Sequence, residues 1–345
     1  MARQPSLRQR LRATRSAIQH AAIDRVVHAF ARVRYAMPDA HPRRHDVTVH
    51  RDIAYVRGPP GLPALAAHRL DVYVPQRTRA PMPVVMYVHG GGFSMLSKDT
   101  HRVMALVFAR RGYLVFNINY RLGPKNLHPV PLEDACDALI WVHENCARYG
   151  GDPNRIALAG ESAGGNLVTA LAVATAAPRP EPYARRLYDA DIPLRAIVAT
   201  YPLLDLTDLD RCLANPKYPG WLKDTIVGAV TSYVGHDVHG AVRSGPLSSP
   251  LLLLENDFRP ARPLPPFFTN AGTRDPLLSH AKRLKIALDR LGVPCNLHVS
   301  PGEIHGFDAM VWRPAAREKW QKVYEFLKIH MYAQVNGMSE REVLA

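Results

Sequence analysis

An α/β fold built on a mostly parallel sheet is the fold class that the sequence predicts, and three observations support it. Short continuous apolar runs recur from residue 84 onward, amphipathic helical patterns lie between them, and the alternation extends over about 260 residues. Continuous apolar runs are typical of strands buried on both faces, as the strands of a parallel sheet are.

The first predicted strands differ in pattern from the later ones. Residues 47–55 alternate between apolar and polar side chains, and residues 68–74 (HRLDVYV) repeat this alternation, which predicts an antiparallel pair. The continuous runs that predict parallel strands lie at residues 84–88, 113–118, 155–159, 196–200, 266–270 and 296–299. Apolar residues recur at helical spacing at residues 132–149, 281–291 and 318–331.

The strand–helix alternation is interrupted at residues 203–263. This interval is rich in Pro, Asp and Tyr, and its amphipathic stretch lies at residues 221–234. A chain of 345 residues could hold two domains by its length. We interpret the interval instead as an insertion above the sheet, because the strand–helix pattern resumes after it.

The composition is that of a globular protein, with 47% hydrophobic and 21% charged residues. Apolar runs stay far below the roughly 18–20 residues that cross a bilayer. The four cysteines form no CxxC pair and have no metal-ligand spacing, so we expect reduced, buried thiols, a cytoplasmic protein and no metal site.

The net charge of +14 is concentrated at the start of the chain. Residues 1–34 hold eight arginines and one acid, Asp24, and supply +7 of it. A basic amphipathic segment can bind a membrane surface or a nucleic acid, or serve as a targeting peptide. We favour a surface helix that covers part of the protein. No nucleic-acid partner is expected because no aromatic–basic interleaving is present, and the h-region of a secretory signal is missing as well.

A sharp turn between a strand and a helix is predicted at residues 155–167 (RIALAGESAGGNL). Its central pentapeptide matches G-x-S-x-G, in which small residues around Ser162 allow the turn that exposes the serine hydroxyl. Ligands of open α/β sheets bind at the carboxyl ends of the strands, where this turn lies. Ser162 is therefore the candidate nucleophile.

A serine hydroxyl needs a base that removes its proton, and in this arrangement the base is a histidine that follows an Asp or Glu in the chain. Of the six histidines after Ser162, His305 is the best placed, because it lies in a loop after a predicted strand. Asp275 also follows a strand and is the candidate carboxylate, although it could cap the next helix as well. Glu303 is a second carboxylate, but it is too close to His305 in the same loop to orient the ring.

Three glycines in a row, beginning at Gly90, follow the first continuous apolar run. Attack on a carbonyl group places negative charge on its oxygen, which backbone N–H groups stabilise when they already point at it. We predict that the N–H groups of Gly91, Gly92 and Ala163 form this oxyanion hole. A phosphate-binding loop is the alternative, but neither GxxxxGK[ST] nor GxGxxG is present. His89 begins the loop, and we interpret it as a scaffold residue.

Together these motifs resemble the hormone-sensitive-lipase-like branch of the α/β-hydrolases, the bacterial family IV esterases. The matching segments are residues 89–92 (HGGG), 120–122 (YRL) with Pro131, Glu133 and Asp134, 160–165 (GESAGG), Ser249 with Pro250, 275–277 (DPL) and 305–307 (HGF). The resemblance implies an eight-stranded, mostly parallel α/β-hydrolase sheet flanked by helices. It also implies a helical cap made of residues 1–50 and 203–263, so that residues 51–202 and 264–345 form the catalytic domain.

The activity that the resemblance implies is a serine carboxylester hydrolase for short- to medium-chain acyl esters, which needs no metal or organic cofactor. Candidate pocket residues are Phe93, Met95, Tyr201 and Trp221. An amide or N-acyl hydrolase is an open alternative, because the same nucleophile serves acyl transfer in general. A binding protein without turnover is disfavoured because Ser162, Asp275 and His305 are all present.

Two further points remain open at this stage. The family usually carries an acidic residue at the position of Lys125, so the charge of that loop departs from the pattern. The resemblance also leaves a homodimer open, and it leaves open an association of the basic N-terminal segment with a membrane surface.

Overall fold

The computed structural model describes residues 22, 24–26, 28, 29, 31, 41–60, 62–216, 218–235 and 245–333, and the described residues between 22 and 31 are helical. The arginine-rich residues 1–21 lie outside this set, so the predictions made for them remain predictions. In the described part of the chain, no helix has both the length and the hydropathy that crossing a membrane requires.

Eight strands form one mixed sheet. They are β1 Val47–Ala54, β2 Arg69–Pro75, β3 Met82–Val88, β4 Leu114–Ile118, β5 Gly151–Glu161, β6 Leu194–Thr200, β7 Phe267–Gly272 and β8 Cys295–Ser300. Their order across the sheet is β1-β2-β4-β3-β5-β6-β7-β8. β2 is antiparallel to both of its neighbours, and every pairing from β4 to β8 is parallel. The predicted fold class is confirmed, including the antiparallel start.

Helices connect the strands and cover both faces of the sheet. They are α1 Arg102–Ala109, α2 Val130–Asn145, α3 Ala163–Ala176, α4 Pro182–Asp189, α5 Leu209–Leu213, α6 Gly220–Val234, α7 Pro250–Glu255, α8 Leu278–Arg290 and α9 Pro314–Lys328. Short 3₁₀ turns lie at Pro42–His45, Ala66–His68, Cys146–Tyr149, Pro246–Ser248 and Phe307–Ala309, and a π turn at Ile329–Ala333 follows α9.

The continuous apolar runs are explained by the two layers of helices. Val84 and Met86 of β3 pack into a core with α2, α3 and α8 on one face. Val85 and Tyr87 pack with α1 and α9 on the other face. Because alternate side chains of a strand point to opposite faces, a strand covered on both sides must be apolar at every position.

The interval predicted to be an insertion contains α5, α6, a 3₁₀ turn and α7, between β6 and β7. Residue Tyr233 of α6 is fully buried, which shows that this helix packs firmly on the rest of the molecule. The four cysteines all lie among the described residues and are free and buried, as expected.

Candidate active site

The turn after β5 holds Ser162 in an unusual backbone conformation, with φ 54° and ψ −113°. A left-handed φ is costly for a residue with a side chain, and it persists only where the surroundings hold it. The Ser162 N–H donates to the carbonyl of Thr200 over 3.0 Å, which fixes the turn to the end of β6. A side chain would not fit at Gly164, because a Cβ there would lie 2.1 Å from the carbonyl oxygen of Val88.

The three residues predicted to form the triad lie in one chain of contacts, although no two of them are neighbours in sequence. His305 Nε2 lies 3.0 Å from Ser162 Oγ, and His305 Nδ1 lies 3.0 Å from Asp275 Oδ2. The second oxygen of Asp275 accepts the N–H of Leu277 over 2.8 Å, so both carboxylate oxygens are engaged. With Nδ1–H donating to Asp275, Nε2 is free to accept the serine proton.

Burial and charge act in opposite directions on His305. Burial lowers the pKa of the imidazole, but the carboxylate of Asp275 outweighs it, with smaller contributions from Asp308 and Glu161, and the net pKa is raised above its ordinary value. The Asp275 side chain is fully buried, whereas that of His305 keeps 33% of its surface exposed. The ring is therefore held firmly on one side and open to the cavity on the other.

The glycine loop after β3 lies along the same cavity wall as Ser162. Gly91 adopts φ 104°, and a Cβ there would lie 2.2 Å from the carbonyl oxygen of Met95. Its own carbonyl accepts the N–H groups of Ser94 and Met95, each over 3.1 Å, which closes a tight turn. Because of this clash, only glycine fits this conformation. Without a side chain in between, its N–H can approach a ligand closely.

A carboxylate that the sequence analysis did not single out braces this loop. Glu161 Oε1 accepts the N–H of Gly90 over 2.5 Å and lies 2.8 Å from His101 Nε2. Its other oxygen accepts the hydroxyl of Tyr87. Burial lowers the pKa of His101, yet Glu161 more than compensates and raises it. The only sequence signal was that Glu161 directly precedes the nucleophile, and nothing in the sequence pointed to His101.

His89 is fully buried at the start of the glycine loop, as expected of a scaffold residue. Its Nδ1 lies 2.7 Å from the carbonyl oxygen of Gly90, and its ring stacks on Tyr120 with 4.4 Å between centroids. Burial lowers its pKa to about 3, and the neighbouring His101 acts in the same direction. This histidine is therefore neutral at any pH at which the protein would work.

A cavity of about 400 Å³ opens in front of Ser162 and His305. Its wall is mostly apolar and comes from both the sheet edge and α6; the residues of α6 that line it are Leu222, Thr225, Ile226 and Ala229. Ala31 of the N-terminal segment and Trp312 before α9 also line the cavity. Apolar cavities of this size with a few polar groups are typical small-molecule sites.

Of the four predicted pocket residues, Met95 and Tyr201 line this cavity, whereas Phe93 and Trp221 do not. Phe93 has φ 59° and stacks face to face on Tyr233 of α6, with 3.8 Å between ring centroids, so it ties the glycine loop to α6. Trp221 lies at the start of α6 and is 57% exposed. The helical spacing of Leu222 and the three lining residues that follow it could have indicated which face of α6 meets the cavity.

No group of three or more His, Cys, Asp and Glu side chains with metal-binding geometry occurs among the described residues. The polar side chains that line the cavity near Ser162 include those of His305, Glu161 and His101.

The fold and this arrangement define a class, an α/β-hydrolase-fold enzyme with an acyl-transfer site. Residues 85–309 match the family described as having the alpha/beta hydrolase fold, and the chain belongs to that family. Carboxylesterase NlhH of Mycobacterium tuberculosis is 32% identical over 273 residues, covering 76% of this chain and 78% of that protein.

Solved structures agree with this assignment. The Pyrobaculum calidifontis esterase is 26% identical, with a TM-score of 0.70 and coverage of 89% of this chain and 92% of that chain. A bacterial heroin esterase, at 23% identity, shows the shared fold with a TM-score of 0.74, over 92% of this chain and 93% of that chain. The resemblance to the hormone-sensitive-lipase-like branch is therefore confirmed, and the chain is a hydrolase of that branch.

Proposed function

We propose that the chain is a serine esterase in which Ser162 is the nucleophile, His305 the proton carrier and Asp275 the group that orients His305. The observation that carries the proposal is the continuous contact from Asp275 through His305 to Ser162, 3.0 Å at each step, at the wall of an apolar cavity. A hydroxyl is a weak nucleophile until such a base takes its proton.

The reaction has two halves that share these residues. Ser162 Oγ attacks the ester carbonyl while its proton moves to His305 Nε2, and the tetrahedral intermediate then collapses as His305 returns that proton to the departing alcohol. Water, activated by His305, attacks the acyl-serine in the second half and releases the carboxylic acid. Asp275 stays ionised and stabilises the imidazolium that forms in each half.

The oxyanion that forms in both halves is stabilised by backbone donors from two loops. Gly91 and Gly92 supply N–H groups from the loop after β3, and Ala163 supplies one from the start of α3. The position of the glycine loop on the cavity wall supports this role, as does the brace that Glu161 provides through Gly90. A single such donor contributes roughly 10²–10³-fold to kcat.

The cavity supports short- to medium-chain acyl esters as substrates, because its volume of about 400 Å³ lies near the lower end of small-molecule pockets. Residues 203–263 act as a cap together with the N-terminal segment. The contribution of α6 and Ala31 to the wall supports this, as does a hydrogen bond of 2.8 Å from the Leu96 N–H to Asp24 Oδ1.

The test is hydrolysis of p-nitrophenyl esters from acetate to palmitate by the wild type and by Ser162→Ala. We expect serine-dependent turnover that is highest for short chains and falls once the acyl chain exceeds the cavity. A fluorophosphonate probe should label the wild type once per chain and leave Ser162→Ala unlabelled.

Matched anilides of the same acids decide between ester and amide hydrolysis, since the leaving group alone differs. Serine-dependent turnover of the anilides at a higher kcat/KM than the esters would replace the ester proposal with an amide or N-acyl hydrolase. Turnover that persists in Ser162→Ala would overturn the assigned nucleophile.

A further inference from the structure

Tyr201 stands directly after β6 and lies against the catalytic imidazole. Its ring meets that of His305 edge to face, with 4.6 Å between centroids and 64° between planes. Its φ is 33°, a strained value for a residue with a side chain, and its N–H donates to the carbonyl of Asn270 over 2.7 Å. Strain of this kind persists only where several contacts hold the residue in place.

A buried ion pair provides the main anchor for the other end of this tyrosine. The Tyr201 hydroxyl donates to Asp308 Oδ1 over 2.5 Å, and Asp308 Oδ2 lies 2.6 Å from Lys319 Nζ on α9. The side chains of Asp308 and Lys319 are 1% and 0% exposed. Lys319 Nζ also lies 3.6 Å from the ring centroid of Trp320, whose indole N–H donates to the carbonyl of Asp308 over 3.1 Å.

A buried ion pair seldom stabilises a core more than apolar residues of similar size do. Removing both charges from water costs several kcal/mol per ion, and apolar replacements are often neutral or stabilising. This ion pair has no access to solvent. Asp308 lies three residues from His305 in sequence, and the ring of Tyr201 joins the pair to His305. Its position therefore suggests a role in the site and not only in stability.

We propose that the buried Asp308–Lys319 pair is a positioning device that holds Tyr201 against His305 and sets the charge behind the catalytic imidazole. The inference rests on the proposed function, because it assigns a role relative to His305 as the base. The carboxylates that raise the pKa of His305 are Asp275, Asp308 and Glu161, and Tyr201 is the titratable side chain that packs on its ring. Of these, Asp308 has its own buried counter-ion, so its charge can be changed while the triad stays intact.

The direct test uses Asp308→Asn, Lys319→Met and the double variant, with kcat/KM for p-nitrophenyl butyrate followed from pH 5 to 9. Neutral His305 is the active form, so kcat/KM rises with pH through the pKa of His305. Asp308→Asn removes a negative charge that favours the imidazolium and should move the midpoint to lower pH. Lys319→Met leaves the carboxylate uncompensated and should move it to higher pH, each by roughly 0.5–1 unit.

The double variant distinguishes an effect of charge on His305 from a non-specific disruption of the fold. It removes both charges together, so its midpoint should return to within about 0.3 unit of the wild type, and it should melt above either single variant. It also keeps the test valid if one single variant fails to fold. The matched control is Lys285→Met with Asp289→Asn, an ion pair of the same chemistry that is exposed on α8 and should leave the profile unchanged.

The tyrosine itself is tested by substitutions that separate its ring from its hydroxyl. Tyr201→Phe keeps the ring beside His305 but loses the hydrogen bond to Asp308, so kcat should fall by about two- to fivefold. Tyr201→Leu removes the ring and should lower kcat by roughly 10–100-fold, since small displacements of a catalytic group are costly, with little change in KM.

Equal midpoints in both single variants, or a double variant no better than the worse single variant, would overturn the inference. So would equal kcat losses in Tyr201→Phe and Tyr201→Leu. These outcomes leave the proposed function standing if wild-type turnover still depends on Ser162, whereas turnover that survives in Ser162→Ala refutes the proposed function itself.

Discussion

His305 and His89 stand in loops at the same edge of the sheet, His89 directly after β3 and His305 five residues beyond β8. His305 Nδ1 faces the carboxylate of Asp275, and its pKa is raised despite burial. His89 Nδ1 faces the carbonyl oxygen of Gly90, and burial lowers its pKa to about 3. The surroundings of His305 therefore favour the protonated imidazole, whereas those of His89 favour the neutral one.

The difference teaches that the partner, and not the position in the fold, sets the role of each histidine. A carboxylate stabilises the imidazolium, whereas a neutral carbonyl offers too little to offset desolvation. The packing of the two imidazole rings differs as well. The His89 ring is stacked on Tyr120, whereas the His305 ring keeps one side open to the cavity. The four predictions below, ordered by expected effect, test this contrast.

Replacement of the catalytic base should have the largest effect. His305→Ala should lower kcat by about 10⁴-fold, because Ser162 then has no group that accepts its proton. The fold should persist, since the side chain is part-exposed, and a thermal melt within a few degrees of the wild type would show this. Undiminished ester hydrolysis in this variant would remove His305 from the mechanism.

The next effect concerns the glycine loop that directly follows His89. Gly91→Ala should lower kcat by about 10²–10³-fold, because the new Cβ would lie 2.2 Å from the carbonyl oxygen of Met95 and force the loop to move. Gly292→Ala is the matched control, since it has a similarly positive φ of 69° but nothing within 4 Å of the added carbon. If both variants lose activity equally, local strain and not the oxyanion loop explains the loss.

Replacement of the scaffold histidine should affect stability more than chemistry. His89→Asn retains a side-chain donor near the Gly90 carbonyl but removes the stacked ring, which should lower the free energy of unfolding by about 2 kcal/mol at pH 7. The acid midpoint of kcat/KM should stay that of the wild type. A shift of that midpoint, measured beside the denaturation curve, would mean that His89 takes part in the proton chemistry.

The sequence singled out Ser162, Asp275 and His305 because each follows a predicted strand, because G-x-S-x-G marks the serine, and because the carboxylate and the histidine follow it in the expected order. The place of the glycine loop on the cavity wall was predictable in a similar way, since the loop follows a continuous apolar strand. What these positions share is a local mark in the sequence, a strand end followed by a short motif, even though the residues they contact are distant in the chain.

Contacts between distant parts of the chain were not predictable in this way. Phe93 was expected in the pocket because it is apolar and follows the glycine loop, but it stacks on Tyr233 of α6, which lies 140 residues further along the chain. The burial of Lys319 contradicts the usual exposure of lysine, and only the fold brings Asp308 to it. Such pairs depend on tertiary packing, which overrides local pattern.

The last prediction compares the two histidines through the pH dependence of the free energy of unfolding. His89 is neutral in the folded state down to about pH 3, whereas a histidine in the unfolded chain takes up a proton near pH 6.5. The unfolded state therefore binds more protons between these values, and His89 makes the folded state lose stability as the pH falls from 6.5. At pH 5 this loss is about 2 kcal/mol for one histidine.

His89→Asn removes that loss, so its destabilisation of about 2 kcal/mol at pH 7 should shrink almost to zero at pH 5. Urea denaturation of both proteins at the two pH values measures this directly. His305→Asn should change in the opposite sense, because a raised folded pKa adds stability as the pH falls below it. If the free energies of unfolding of the two variants changed with pH in the same way, the two histidines would not differ in the charge state that the fold favours.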